Sequence, residues 1–253
     1  MIRAAAFIAA LLLAAPLAAQ TEPPAAEGAP EVLSEREQVL LSFRQLVDRG
    51  DARALFGLPE KTFWRREDGL TLALFAEEAA ALEPLLRGAA APFAEATGQG
   101  IAVAEAAPLP PEADGVAALA PQADLVIVIA PRPRVSALAT AAGVNPGMLA
   151  QFEYGSWPFV FSFEEDAGRR GILLLAAEEP ARAREASFIL ATVWGLGGVT
   201  LGPELDGLVS DSAAGPQLTP VGRQVFALFY HPQLAVGMPI DGAVRRAAEL
   251  LPR

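Results

Sequence analysis

The sequence predicts an α+β fold, with a small mixed β-sheet, helices packed on it and a helical C-terminal portion. Residues Asp124 to Ala130 form an apolar, β-branched run, typical of a central strand in a sheet covered on both faces. Residues Phe159 to Phe163 and Gly171 to Ala176 are two apolar runs separated by a charged turn, which predicts a hairpin. Beyond Thr219 the chain shows only helical patterns. Together these features indicate helices layered on a sheet.

The first residues have the pattern of a signal peptide. Arg3 supplies a positive start, the run Ala4 to Ala15 is apolar, and Leu17-Ala18-Ala19 offers small residues for cleavage before Gln20. A membrane anchor is the alternative, but the apolar run is shorter than the roughly 20 residues that span a bilayer. We therefore expect residues 1–19 to be removed and the protein to be exported to the periplasm, with secretion as the other possibility.

A flexible linker is expected to precede the folded part. Residues 20–33 are rich in Pro, Ala, Glu and Gly, which bury little surface. Ser34 and Glu37 then form the pattern of a capping box. The helix that follows, residues 34–49, is amphipathic and closed by Gly50, and its apolar residues recur at helical spacing: Val39, Leu40, Phe43, Leu46 and Val47.

The middle of the chain predicts alternating strands and helices. Leu70 to Phe75 is the first strand, and proline positions restrict the next helix to Pro84 to Thr97, bent near Pro92 and closed by Gly98. Further elements are a short strand at Ile101 to Ala104, an end to the central strand at Pro131 and Pro133, and short helices at Val135 to Ala142 and Pro146 to Phe152.

The last third is predicted to be helical around one glycine-rich loop. The elements are a helix at Ala181 to Trp194 ending at Gly195, a loop at Gly195 to Gly215, and helices at Thr219 to Tyr230 and Ile240 to Leu251. We expect residues 34–253 to form a single domain.

Composition excludes several classes of function. The chain has no cysteine, so disulfides, thiol nucleophiles, thiolate metal sites and a lipoprotein anchor are all excluded. The net charge of −11 argues against nucleic acid as a partner, because such binding neutralises phosphates with Lys and Arg. The hydrophobic content of 53% allows a sizeable core without disulfides.

The polar residues suggest one alternative catalytic constellation. His231 is the only histidine, which excludes paired-histidine zinc motifs, and no Gly-x-Ser-x-Gly elbow accompanies it. Glu204, Asp206 and Asp211 lie in the glycine-rich loop. Because function often resides in loops, a hydrolase that uses these carboxylates with His231 is one hypothesis. The other interpretation of His231 is structural, as a residue near a helix C-terminus.

A series of short motifs runs from roughly Arg65 to Leu251. The motifs are Phe93 to Gly98 with Ile101, Ala123-Asp124-Leu125, Trp194-Gly195-Leu196, Leu208 to Asp211, Leu218-Thr219-Pro220, Leu228 to Leu234 and Gly237-Met238. Together they resemble a bacterial family of exported proteins, catalogued as "domain of unknown function 2927".

The resemblance implies a layout similar to zincin metallopeptidases. Its order is a strand, a helix ending in Thr-Gly, a central strand and a helix ending in Gly. On that last helix zincins carry His-Glu-x-x-His-x-x-Gly, which places two zinc ligands one turn apart with a general base beside them. Here the window runs from Phe188 to Gly195, and the three chemical positions are Phe188, Ile189 and Thr192. The resemblance therefore implies a degenerate active-site helix without metal, cofactor or catalytic residues.

The leading hypothesis is a non-catalytic, zincin-like binding or scaffold domain of the periplasm or cell envelope. Its partner would be an envelope or periplasmic protein, and no membrane span is expected after cleavage. Besides the hydrolase, a third hypothesis is a structural envelope protein that presents the helix Glu35 to Arg49 as an interaction surface.

Overall fold

The computed structural model describes residues 33–48, 61–112, 115, 118–144, 149, 159–165, 168–198, 207–212 and 215–252. The predicted signal peptide lies outside these residues, as do nearly all of the linker, Gly50, and the predicted helix Pro146 to Phe152 apart from Leu149. None of the described helices is both long enough and apolar enough to cross a membrane.

The described helices and strands are interspersed along the chain and form a mixed α/β fold. The helices are α1 Glu35–Val47, α2 Ala79–Thr97, α3 Arg132–Ala141, α4 Ala181–Leu196, α5 Pro220–Phe229 and α6 Ile240–Leu250. The strands are β1 Leu70–Ala76, β2 Ile101–Ala107, β3 Leu125–Ala130, β4 Phe159–Glu165, β5 Gly168–Ala176, β6 Val209–Ser212 and β7 Gly215–Leu218.

The main sheet is mixed, as predicted. Its strand order is β2-β1-β3-β5-β4, in which β2, β1, β3 and β5 are parallel and β4 lies antiparallel at one edge. The predicted hairpin of β4 and β5 is confirmed, but its predicted turn of seven residues is too long. Pairing continues to Glu165 opposite Gly168, so most of the charged residues belong to the strands.

Strand β3 lies at the centre of the sheet, and all six of its residues are buried. Leu125, Ile127 and Ile129 belong to one core cluster, whereas Val126 and Val128 belong to a second. The larger cluster includes residues of α1, α2, α4, α5 and α6, and the smaller one includes residues of α3. The sheet is therefore covered on both faces, as the apolar run predicted.

Helix α1 is an integral part of the larger core. Its predicted capping box is present, and hydrogen bonds from the Ser34 hydroxyl and N–H hold the pKa of Glu37 below its ordinary value. The helix packs on α5 and α6, and its buried residues are Val39, Phe43, Leu46 and Val47. The apolar face is therefore used within the molecule, and an interaction surface on α1 would be formed by the exposed residues of the helix.

Helix α2 begins earlier than predicted and contains both prolines. It starts at Ala79, so Pro84 and Pro92 both lie inside it, and it ends with Gly98 in the left-handed region at φ +68°. Each proline removes one helical N–H donor. Leu82, Leu86 and Phe93 are buried against the core, and this packing holds the helix despite the missing hydrogen bonds.

The prediction of one loop from Gly195 to Gly215 is wrong at both ends. Gly195 is inside α4, and Gly197 caps that helix with φ +106°. Beyond the undescribed residues 199–206, strands β6 and β7 pair as an antiparallel hairpin. Helix α3 starts at Arg132, which is earlier than predicted, and Pro133 lies in its first turn. Backbone N–H groups in a first turn have no acceptor within the helix, so the N–H that proline lacks costs no helical hydrogen bond.

Candidate functional site

The three chemical positions of the zincin-like window are core residues. Phe188 and Thr192 are 0% exposed and Ile189 is 6% exposed. Phe188 and Ile189 belong to the larger core cluster. A zinc ligand in a catalytic site must face an open coordination position, and these side chains face the packed interior.

The one polar side chain among the three is satisfied by its own helix. The Thr192 hydroxyl donates to the carbonyl of Phe188 at 2.9 Å. This backward hydrogen bond is the usual solution for a buried threonine in a helix. Thr192 is therefore accommodated without any external group.

Glycines at the C-terminal end of α4 let neighbouring elements approach closely. A Cβ on Gly195 would lie 2.6 Å from the Leu70 side chain, and one on Gly198 would lie 2.6 Å from Leu46. A Cβ on Gly197 would meet the Trp64 ring at 2.8 Å. The C-terminal end of α4 therefore packs closely against β1, against α1 and against the segment before β1.

The segment Trp64 to Arg66 closes this end of the molecule. Arg66 donates from Nε to the carbonyl of Gly195 at 3.1 Å and from its backbone N–H to the carbonyl of Leu196 at 3.0 Å. Its Nη1 also pairs with Asp124 Oδ1 at 2.7 Å. Arg66 therefore connects the last carbonyls of α4 to the start of β3, where a cation complements the helix dipole.

Arg65 makes the equivalent contacts at the end of α5. Its Nη1 donates to the carbonyls of Phe229 at 2.8 Å and His231 at 3.1 Å. The guanidinium carbon lies 5.3 Å from the centre of the Tyr230 ring and 5.9 Å from that of Phe63. Arg65 is 8% exposed, so its charge is placed between aromatic faces and helix carbonyls.

Tyr230 joins the ends of the two helices. Its hydroxyl donates to the carbonyl of Leu196 at 3.1 Å. Burial raises the pKa of Tyr230 well above its ordinary value, although Arg65 and Arg66 act in the opposite direction. Tyr230 is therefore a neutral donor. Sequence reasoning missed this set of contacts, because Trp64, Arg65 and Arg66 precede β1 without any periodic pattern.

Another buried arginine side chain, that of Arg170, holds a loop. Arg170 of β5 donates to the carbonyls of Ala123 at 3.1 Å and Ala120 at 2.8 Å, and also to that of Leu119. Ala120 has φ +41°, a left-handed conformation that few non-glycine residues adopt. The guanidinium therefore fixes an unusual turn before β3.

The carboxyl ends of the parallel strands carry acidic residues, and ligands of open α/β sheets bind at such an edge. Glu178 after β5 accepts the backbone N–H of Arg132, with both carboxylate oxygens at 3.1 Å. Glu179 pairs with Arg132 Nη2 at 3.5 Å. These carboxylates stabilise the N-terminus of α3, since anions there complement the helix dipole.

The alternative hydrolase site falls largely outside the described side chains. His231 is partly exposed, and its Nδ1 accepts the backbone N–H of Gln233 at 3.2 Å. Asp211 lies in β6 opposite Pro216, while Glu204 and Asp206 lie outside the described residues. The structural interpretation of His231 fits its place just beyond α5.

Among the described residues, no three His, Asp or Glu side chains lie close enough together to hold a metal ion. Comparison with known proteins adds no assignment: no family model, curated protein or solved structure matches this chain.

Proposed function

We propose that this protein is an exported, non-catalytic domain of zincin-like layout, which acts by binding a partner in the periplasm or cell envelope. The order of elements supports the layout. Strand β1 is followed by α2, which ends at Thr97-Gly98, and central strand β3 precedes α4, which contains Gly195 of the window in its last turn and is capped by Gly197. This is the order that the resemblance to the unknown-function family implies.

The burial of the window on α4 is the observation that carries the proposal. A metallopeptidase helix exposes its ligands to substrate and water, whereas Phe188 and Thr192 are wholly enclosed here. Placing a charge at such a position without a partner would be costly. The helix therefore supports a scaffold role in place of metal chemistry.

Zinc titration of the chain starting at Gln20 tests the proposal. We expect no stoichiometric zinc by elemental analysis and no change in Tm. Zinc bound to the folded state at a hundredfold excess over Kd would raise the free energy of unfolding by about 2.7 kcal/mol.

The matched control is His231→Ala, which removes the only histidine. Zinc that binds the native chain and is lost in this variant would overturn the proposal and return the hydrolase to the leading position. Peptide hydrolysis that is abolished by Thr192→Val would contradict it equally.

Export requires a separate experiment, because a scaffold could act in either compartment. We expect the protein recovered from the periplasmic fraction of a bacterial host to begin at Gln20 by N-terminal sequencing. Full-length chain confined to the cytoplasm would contradict the claim of export, whereas the claim that the domain is non-catalytic would still be judged by the zinc experiment.

A further inference from the structure

We draw no further inference here: the strongest candidate, the outer edge of strand β4 in the five-stranded sheet, is an apolar strand that pairs only with β5 among the described residues, and nothing in the structure shows what covers it.

Discussion

At the scale of single residues, two helical glycines occupy opposite environments. A Cβ on Gly222, in the first turn of α5, would lie 2.0 Å from the carbonyl oxygen of Leu208, a backbone atom that cannot rotate away. A Cβ on Gly88, inside α2, would meet nothing within 4 Å. Packing therefore requires glycine at position 222, whereas Gly88 makes no such close contact and only weakens its helix.

The substitution Gly222→Ala should lower the free energy of unfolding by about 1–3 kcal/mol, because the β6–β7 hairpin must move away from α5. Gly88→Ala is the matched control and should raise it by up to about 1 kcal/mol, since alanine is the better helix former. Urea unfolding followed by circular dichroism measures both. Equal effects at the two sites would contradict the close contact at Leu208.

The raised pKa of Tyr230 predicts that the free energy of unfolding falls in alkaline solution. Its pKa is raised by burial in the folded protein, so the unfolded chain, in which tyrosine titrates near pH 10, releases the proton first. The folded state then holds more protons than the unfolded state, and the free energy of unfolding falls as the pH rises above about 10.

The variant Tyr230→Phe isolates this effect. Near pH 7 it should cost about 1 kcal/mol, because the hydrogen bond to Leu196 is lost. Between pH 9 and 11 the free energy of unfolding should fall more for the unsubstituted protein than for Tyr230→Phe, so the difference between the two should shrink or reverse. A difference between the two chains that stays constant over this range would show that Tyr230 titrates normally.

At the scale of elements, α1 shows how a helix joins the core. Phe43 lies 6.5 Å from the rings of Phe63 and Phe229, and Arg36 donates to the carbonyl of Ala248 at 2.7 Å, near the end of α6. The helix therefore connects the segment before β1 with the two C-terminal helices. The amphipathic pattern predicted that α1 packs against something but not against what.

The variant Phe43→Ala should lower the free energy of unfolding by about 3–5 kcal/mol, because it empties a fully buried aromatic position. Leu41→Ala on the same helix is the control. Leu41 is 47% exposed, and its loss should change stability by less than about 0.5 kcal/mol. If Phe43→Ala were as mild as the control, α1 would not be part of the folded core.

At the scale of the whole molecule, the central sheet connects the two core clusters. Leu173 and Leu174 are neighbours on β5, both fully buried, and belong to the larger and smaller cluster respectively. Strand β5 pairs directly with β3, which also contributes to both clusters. The two faces should therefore unfold together.

The variants Leu173→Ala and Leu174→Ala should each lower the free energy of unfolding by about 2–5 kcal/mol. Both variants are made in a chain that also carries Trp157→Phe. Because Trp194 packs against the larger cluster, tryptophan fluorescence then reports mainly on the face of the sheet that this cluster covers. We expect fluorescence and circular dichroism to give coincident transitions in both variants. A Leu174→Ala variant whose fluorescence transition does not move would indicate that the two faces unfold independently.

The sequence by itself determined the elements whose causes are local. The capping box set the start of α1, the apolar β-branched run set β3, and the paired apolar runs set the β4–β5 hairpin, because each depends on neighbours in the chain. The sequence also showed directly that Phe188, Ile189 and Thr192 lack the histidine and glutamate side chains of a zincin site. Periodicity alone placed helices α5 and α6 within a residue or two of their observed bounds.

Only the tertiary structure decided what depends on contacts between distant residues. Burial of Leu82 extended α2 beyond Pro84 towards its N-terminus, and close packing at Leu70 placed Gly195 inside α4 instead of beyond its end. Arg65 and Arg66 became donors to helix ends that are 164 and 129 residues away, respectively. No local pattern encodes such a contact, because its free energy arises when the fold removes both groups from water.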